Sequence, residues 1–151
     1  MTRQKPFDGP FGRLVLTEAG GVISRLSWGG TAEGEPTDLL AEACRQLAAY
    51  FAGSRRSFDL PLDWGTGVNA QVRRAMVTIP YGETRTYGDL ARDLGLPAQV
   101  IGQACGANPI PILIPCHRVL SATGLGGFSA PGGIETKVAL LKHEGAASLL
   151  I

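Results

Sequence analysis

Apolar residues along this chain fall into two rhythms. Between residues 11 and 28 they come in the short runs of a β-hairpin. Leu14-Val15-Leu16 leads to a Glu18-Ala19-Gly20-Gly21 turn, and Val22-Ile23 runs on through Leu26 to Trp28. The adjacent glycines supply the positive φ that a tight turn needs. Residues 29–36 are polar and glycine-rich, a loop. The period then lengthens to that of a helix. Thr37 is placed to cap one reaching about Phe51, with Leu40, Ala43, Leu47 and Phe51 on one stripe and Cys44 beside it as a small core residue.

Asp59 to Gly67, with Pro61 and two glycines, marks a domain boundary. Beyond it a helix is expected from about Val68 to Thr78, ended by Pro80 and Gly82. Thr86 followed three residues later by Asp89 resembles a capping box, opening a short helix to about Leu94. Gly95 stops that helix, and Pro97, suited to a first helical position, opens the next. Two short helices joined by a tight glycine-containing turn read as a helix-turn-helix. Ile134, Val138 and Leu141 mark a last helix stopped by Gly145. The expected architecture is an α/β N-terminal domain (residues 1–65) and a mostly α-helical C-terminal domain (66–151) containing the helix-turn-helix.

Composition narrows the class. With 151 residues, 44% hydrophobic and 18% charged, the chain has the balance of a globular protein. No stretch approaches the roughly 18 apolar residues of a membrane span. Met1-Thr2-Arg3-Gln4-Lys5 leads into no signal-peptide core, so a cytoplasmic protein is expected. Three cysteines without framework spacing fit a reducing compartment. Two histidines and no Cys-x-x-Cys give no metal site, and no cofactor is expected. No heptad or broad apolar surface helix demands a dimer, so a monomer is expected. Net charge is +1, so any grip on nucleic acid must come from local groups.

The chemistry concentrates in Asn108-Pro109-Ile110-Pro111-Ile112-Leu113-Ile114-Pro115-Cys116-His117-Arg118-Val119. Three prolines forbid a helix and bias the run to extended geometry. Cys116 is thus held on a rigid mount with a basic neighbour. Consecutive side chains in an extended strand face opposite ways, so His117 is expected to reach Cys116 through a water rather than directly. Glu144 sits in the last helical turn, where the dipole disfavours an anion, so it needs a cationic or imidazole partner. His143 there is of the sign that caps a helix end. Arg118 is suited to phosphate or to an internal ion pair, and the structural role is favoured. Ala98, Gly102, Ala104 and Gly106 lack bulk, which suits either close approach to a groove or packing on a neighbouring element. The glycine-rich stretch Gly124 to Gly133 lacks a following Gly-Lys-Ser/Thr and reads as a site wall, not a phosphate loop.

The same residues resemble a family. Pro115-Cys116-His117-Arg118-Val119 after Asn108-Pro109-Ile110-Pro111 resembles the acceptor-cysteine signature of the O6-alkylguanine-DNA alkyltransferases, the methylated-DNA–protein-cysteine methyltransferases. Ile79-Pro80-Tyr81-Gly82-Glu83-Thr84 with Thr86-Tyr87-Gly88-Asp89-Leu90-Ala91 is similar to the lead-in to their DNA-binding helices. Gly126-Gly127-Phe128-Ser129, Lys137 and Leu140-Leu141-Lys142-His143-Glu144-Gly145 resemble their closing loop and helix. The likeness covers roughly residues 66 to 146.

The resemblance implies a suicide repair protein for double-stranded DNA carrying O6-alkylguanine. Cys116 would accept the alkyl group, with His117 and Glu144 in a water relay, Asn108 bracing the cysteine loop and Tyr87 assisting the leaving base. Phe128, Ser129 and Pro115 would form the pocket. Ala98, Gln99, Gly102, Gln103 and Gly106 would face DNA. Two rivals stand beside it: a non-catalytic binder of alkylated DNA, which Cys116 argues against, and a relative repurposed for small molecules.

The chain departs from the family in three places. Residues 93–117 hold no Arg or Lys, and Gln99 stands where relatives place an arginine finger. Phe128 replaces a frequent tyrosine, with Ser129-Ala130-Pro131 lengthening the loop by about two residues. Val68-Asn69-Ala70-Gln71-Val72-Arg73 replaces the usual aromatic helix opening. Some relatives carry an N-terminal zinc, for which this chain offers Cys44 and no histidine there.

Overall fold

The computed structural model describes residues 2–128 and 132–146. By its internal contacts the chain separates into two units, Met1–Asp63 and Trp64–Ile151.

The first unit is a three-stranded antiparallel sheet, β1 (Thr2–Gly9), β2 (Gly12–Ala19) and β3 (Val22–Trp28), in that spatial order, with helix α1 (Asp38–Phe51). The expected hairpin is present, and β1 is an addition to it. Pro6 cannot donate to a ladder, so β1 reads poorly as a strand, yet at the sheet edge that defect costs little. Leu14, Leu16, Ile23 and Leu26 of the sheet are buried, as are Leu40, Ala43, Leu47 and Tyr50 of α1. Tyr50, not Phe51, completes the buried stripe. Phe51 is instead half-buried, with ring centroids 6.0 Å from Phe7 and 5.4 Å from Phe11. Thr37 caps α1 by accepting from the Leu40 N–H (3.1 Å). Cys44 is only half-buried. The buried Gln46 amide satisfies both its ends on Asp59, donating to its carbonyl (3.1 Å) and accepting from its N–H (2.9 Å).

The second unit holds α2 (Gly67–Val77), α3 (Tyr87–Leu94), α4 (Ala98–Gly106) and α5 (Ile134–His143), with a short parallel pair of β4 (Arg85–Thr86) and β5 (Val119–Leu120). The capping box forms: Thr86 Oγ1 accepts from Asp89 N–H (3.0 Å), and Asp89 Oδ2 accepts from Thr86 N–H (2.9 Å). Such a cap contributes on the order of 1 kcal/mol. Gly95, at φ 67°, ends α3 in the left-handed conformation that costs glycine least. Pro97 is the N-cap of α4, one position earlier than expected. Val72, Met76, Leu90, Ile101, Ile110, Ile114, Val119, Leu140 and Leu141 form the core.

One local expectation is overturned. The run from Asn108 does not stay extended through the cysteine, because Cys116–Arg118 form a single 3-10 turn. Pro115, at φ −81° and ψ 67°, has inverse γ-turn geometry, and the Cys116 N–H closes on the Ile114 carbonyl (2.8 Å). Proline fixes φ near the value that turn needs, so the residue that stiffens the mount also bends it.

Candidate active site

The loop that presents Cys116 is tied by one amide. Asn108 Nδ2 donates to the Ile114 carbonyl (2.9 Å), and its Oδ1 accepts from the Ile110 N–H (3.1 Å). Between them Ile112 sits at φ 72° with its side chain buried, an uncommon conformation for a β-branched residue. Burial of Ile110, Ile112, Leu113 and Ile114 holds the loop in that shape.

Cys116 opens onto a cavity of about 260 Å³. Tyr87 from the first turn of α3, and Gly102, Cys105 and Gly106 from α4, form one side. Asn108 and Pro111 come from the cysteine loop, and Gly127 and Phe128 form the facing wall. Pro111, not Pro115, is the proline of the lining. Ser129 lies outside the described residues. Gly126, at φ 72°, is required where it stands, since a Cβ would come within 2.9 Å of the Tyr87 hydroxyl.

Behind the cysteine runs a buried charge network. His117 and the Glu144 side chain have no exposed surface, and Nε2 of His117 lies 2.8 Å from Oε2 of Glu144. Arg118 closes on the same carboxylate, Nε to Oε1 at 2.8 Å and Nη2 to Oε2 at 2.9 Å, and its Nη1 donates to the Ile79 carbonyl (2.7 Å). Burial pushes the Glu144 carboxyl up, but hydrogen bonds from His117 and Arg118 outweigh it and hold the group well below the carboxylate range. An ionised carboxylate only accepts, so His117 Nε2 must carry the proton it shares. Burial keeps the imidazole pKa below its usual value, so His117 is neutral. Its Nδ1 is then an unprotonated acceptor, buried and without a partner among the described residues. That atom is free to take a proton.

Cys116 is 8% exposed, and burial pushes its thiol pKa up, opposed by Asn108 and by the charge of Lys137. At rest Cys116 is therefore a neutral thiol that needs a base. Tyr87 is likewise raised, by burial and then by the two pocket cysteines, so it stays a protonated donor. Arg118 takes the internal role favoured for it, and Glu144 has both kinds of partner expected. His143, the last residue of α5, accepts from the Tyr81 hydroxyl through its carbonyl (3.2 Å).

Two participants were assigned no role from the sequence. Cys105 shares the cavity, its Sγ 3.5 Å from Met76 Sδ and its pKa pushed to about 12 by burial. Lys137 is fully buried. Only a cysteine at helical spacing with Gly102, and an apolar-facing lysine in α5, hinted at either.

The small residues of α4 divide. Ala98, Gln99, Gln103 and Gly106 are exposed and Gly102 half-exposed, whereas Ala104 is buried with Ile101 and Cys105. A Cβ at Gly102 would meet nothing within 4 Å, so packing inside the protein does not require glycine there.

Comparison with known proteins accords with this geometry. Residues 67–146 match the family described as 6-O-methylguanine DNA methyltransferase, DNA binding domain, and residues 5–64 match its ribonuclease-like domain. A methylated-DNA–protein-cysteine methyltransferase of Mycobacterium tuberculosis is 43% identical over 155 residues, covering 95% of this chain and 93% of the relative. The constitutive Bacillus subtilis protein of that name is 41% identical over 152 residues, covering 91% and 92%. The crystal structure of the M. tuberculosis O6-methylguanine methyltransferase superposes with a TM-score of 0.84 at 39% identity, covering 97% of this chain and 94% of that one. The M. tuberculosis protein in complex with DNA gives 0.80 at 41% identity, covering 97% and 93%. The chain belongs to the 6-O-methylguanine DNA methyltransferase family.

Proposed function

We propose that this chain repairs O6-alkylguanine in duplex DNA by moving the alkyl group irreversibly onto Cys116. The observation that carries this reading is a cavity floored by Cys116, backed by a buried carboxylate–imidazole pair whose free nitrogen is a base. The alkylated oxygen lies inside the base stack, so the nucleotide must be rotated out to meet sulfur. The exposed face of α4, Ala98 to Gly106, approaches the groove, and Gly102 and Gly106 let backbone come close. The base enters between Tyr87, Pro111 and Phe128.

The Cys116 proton passes through a bridging water to His117 Nδ1, and Glu144 stabilises the imidazolium that forms. Sulfur attacks the alkyl carbon as the carbon–oxygen bond breaks, and the Tyr87 hydroxyl gives a proton to the departing guanine. An S-alkylcysteine remains. A thioether is a poor leaving group, so each molecule acts once. Asn108 positions the cysteine loop. No cofactor enters, and the protein works as a cytoplasmic monomer; among the described residues no helix is long and apolar enough to cross a membrane.

One observation favours a second reading, a relative repurposed for small alkyl donors. Between residues 93 and 136 the only Arg or Lys is Arg118, and it is buried on Glu144. Duplex affinity that falls with salt separates the two, since a small-molecule acceptor has no cause to show it.

The test is to incubate the protein with a duplex holding one O6-methylguanine and weigh the intact chain and its peptides. One methyl on Cys116, absent in Cys116→Ser, is the expected result. No transfer to folded protein with reduced Cys116 sinks the proposal.

A further inference from the structure

Lys137 projects from α5 into the core with no exposed surface. Its Nζ donates to the Val119 carbonyl (2.6 Å) and the Gly127 carbonyl (3.2 Å). Among the described residues no carboxylate pairs with it. An unpaired ammonium in such a place is costly, because carbonyl dipoles replace only part of the lost hydration. The groups around Cys116 show what is missing. His117 and Arg118 on its own turn are both committed to Glu144. Tyr87 from α3, Cys105 from α4 and Asn108 from the loop carry no charge at neutral pH. The field of Lys137 reaches both Cys116 and Cys105 and is the one buried positive field there that no anion cancels, among the described residues.

The two carbonyls that Lys137 grips are equally telling. Val119 is the first residue after the cysteine turn, and Gly127 belongs to the cavity wall beside Phe128. One side chain therefore ties the nucleophile's segment to the surface against which a base would lie.

We infer that Lys137 is a positioning residue that supplies the buried counter-charge for the Cys116 thiolate and clips the Gly127–Phe128 wall to the cysteine turn. The inference rests on Cys116 being the acceptor. Ionising Cys116 gives Lys137 its missing anion, so the charge helps most at the moment of attack.

The test compares wild type, Lys137→Met and Lys137→Arg. Its first readout is the rate at which iodoacetamide modifies Cys116 between pH 6.5 and 9, followed by peptide mass. Lys137→Met should react about tenfold more slowly throughout, the thiolate lost to a pKa about one unit higher. Lys137→Arg should keep the iodoacetamide rate and still slow methyl transfer, because a planar guanidinium does not reproduce the two carbonyl contacts. A folded Lys137→Met whose Cys116 reacts as fast as wild type overturns the inference. Should Lys137→Met not fold, Lys137→Gln keeps a donor without charge and gives the same reading. The reciprocal readout needs no lysine variant: in Cys116→Ser, Lys137 should lose its proton at lower pH than in wild type, and equal titration by NMR also overturns the inference. Iodoacetamide needs no DNA, so failure to repair DNA and failure of the Lys137 effect are read separately.

Discussion

Arg118 and Glu144 meet as a two-pronged pair, Nε on Oε1 at 2.8 Å and Nη2 on Oε2 at 2.9 Å, with both side chains almost wholly out of solvent. The carboxylate serves two neighbours at once, and the guanidinium's part is to keep it ionised while the imidazole remains neutral. Without Arg118, Glu144 could lower its charge by drawing a second proton onto His117, filling the nitrogen that must stay open.

Arg118→Met should therefore harm the fold before it harms the chemistry. Breaking a buried pair from one side costs about 3–5 kcal/mol. Urea unfolding should show that loss, and a variant within about 1 kcal/mol of wild type would mean that Glu144 finds its charge balance elsewhere.

Stability should fall in two stages as pH drops. Burial depresses the folded pKa of His117, so below 6.5 the unfolded chain binds a proton that the folded chain refuses. Glu144 repeats the pattern below 4.5, where its folded carboxyl stays ionised on His117 and Arg118. Each group contributes full stability above its unfolded pKa and loses it toward its folded one, at up to about 1.4 kcal/mol per pH unit. Melting temperatures across pH 4 to 8 test this. His117→Gln should flatten the upper stage, and a wild-type curve level between pH 5 and 6.5 contradicts it.

Gly102→Ala should separate folding from function. The added methyl meets nothing in the protein, and alanine in a helix interior is worth about 0.5–1 kcal/mol over glycine. The variant should melt higher and transfer from duplex DNA more slowly, because the methyl projects from the face proposed to meet the groove. Unchanged single-turnover rates would show that close approach at Gly102 is not needed.

Gln99 is exposed at the start of α4, on a face without a cation. Gln99→Arg should accelerate transfer from duplex DNA, through stacking or phosphate contact that an amide lacks. One new phosphate contact should also steepen the slope of log affinity against log salt by about 0.9. Faster repair with an unaltered slope would point to stacking, and no change in rate would mean that this chain opens the duplex by other means.

The helix pair was legible because its signals are local: Thr86 with Asp89, then Gly95, then Pro97 each act within one turn of chain. The stripe of α1 was misjudged at its last member, since spacing admits Tyr50 and Phe51 alike and the aromatics of residues 7 and 11 decide between them. Strand β1 was hidden by Pro6, whose defect matters only away from an edge. The 3-10 turn at Cys116 escaped because proline bias reads as extension until ψ is known. The surroundings of Lys137 and Cys105 show only in three dimensions, where residues 18 and 29 positions away complete them. Motif likeness named Cys116, His117, Glu144, Asn108 and Tyr87, but the imidazole tautomer and the guanidinium fork needed coordinates.

The carboxylate that completes the site lies 27 residues after His117 and 26 after Arg118. Synthesis therefore delivers the nucleophile well ahead of its supporting acid. While the ribosome tunnel still holds α5, the His117 imidazole lacks the Glu144 carboxylate that orients it in the folded chain. On the proposed mechanism, the sulfur gains its supporting acid only when the last helix docks. A protein that can react once gains from that delay, because a half-made chain has no means to spend its single turnover.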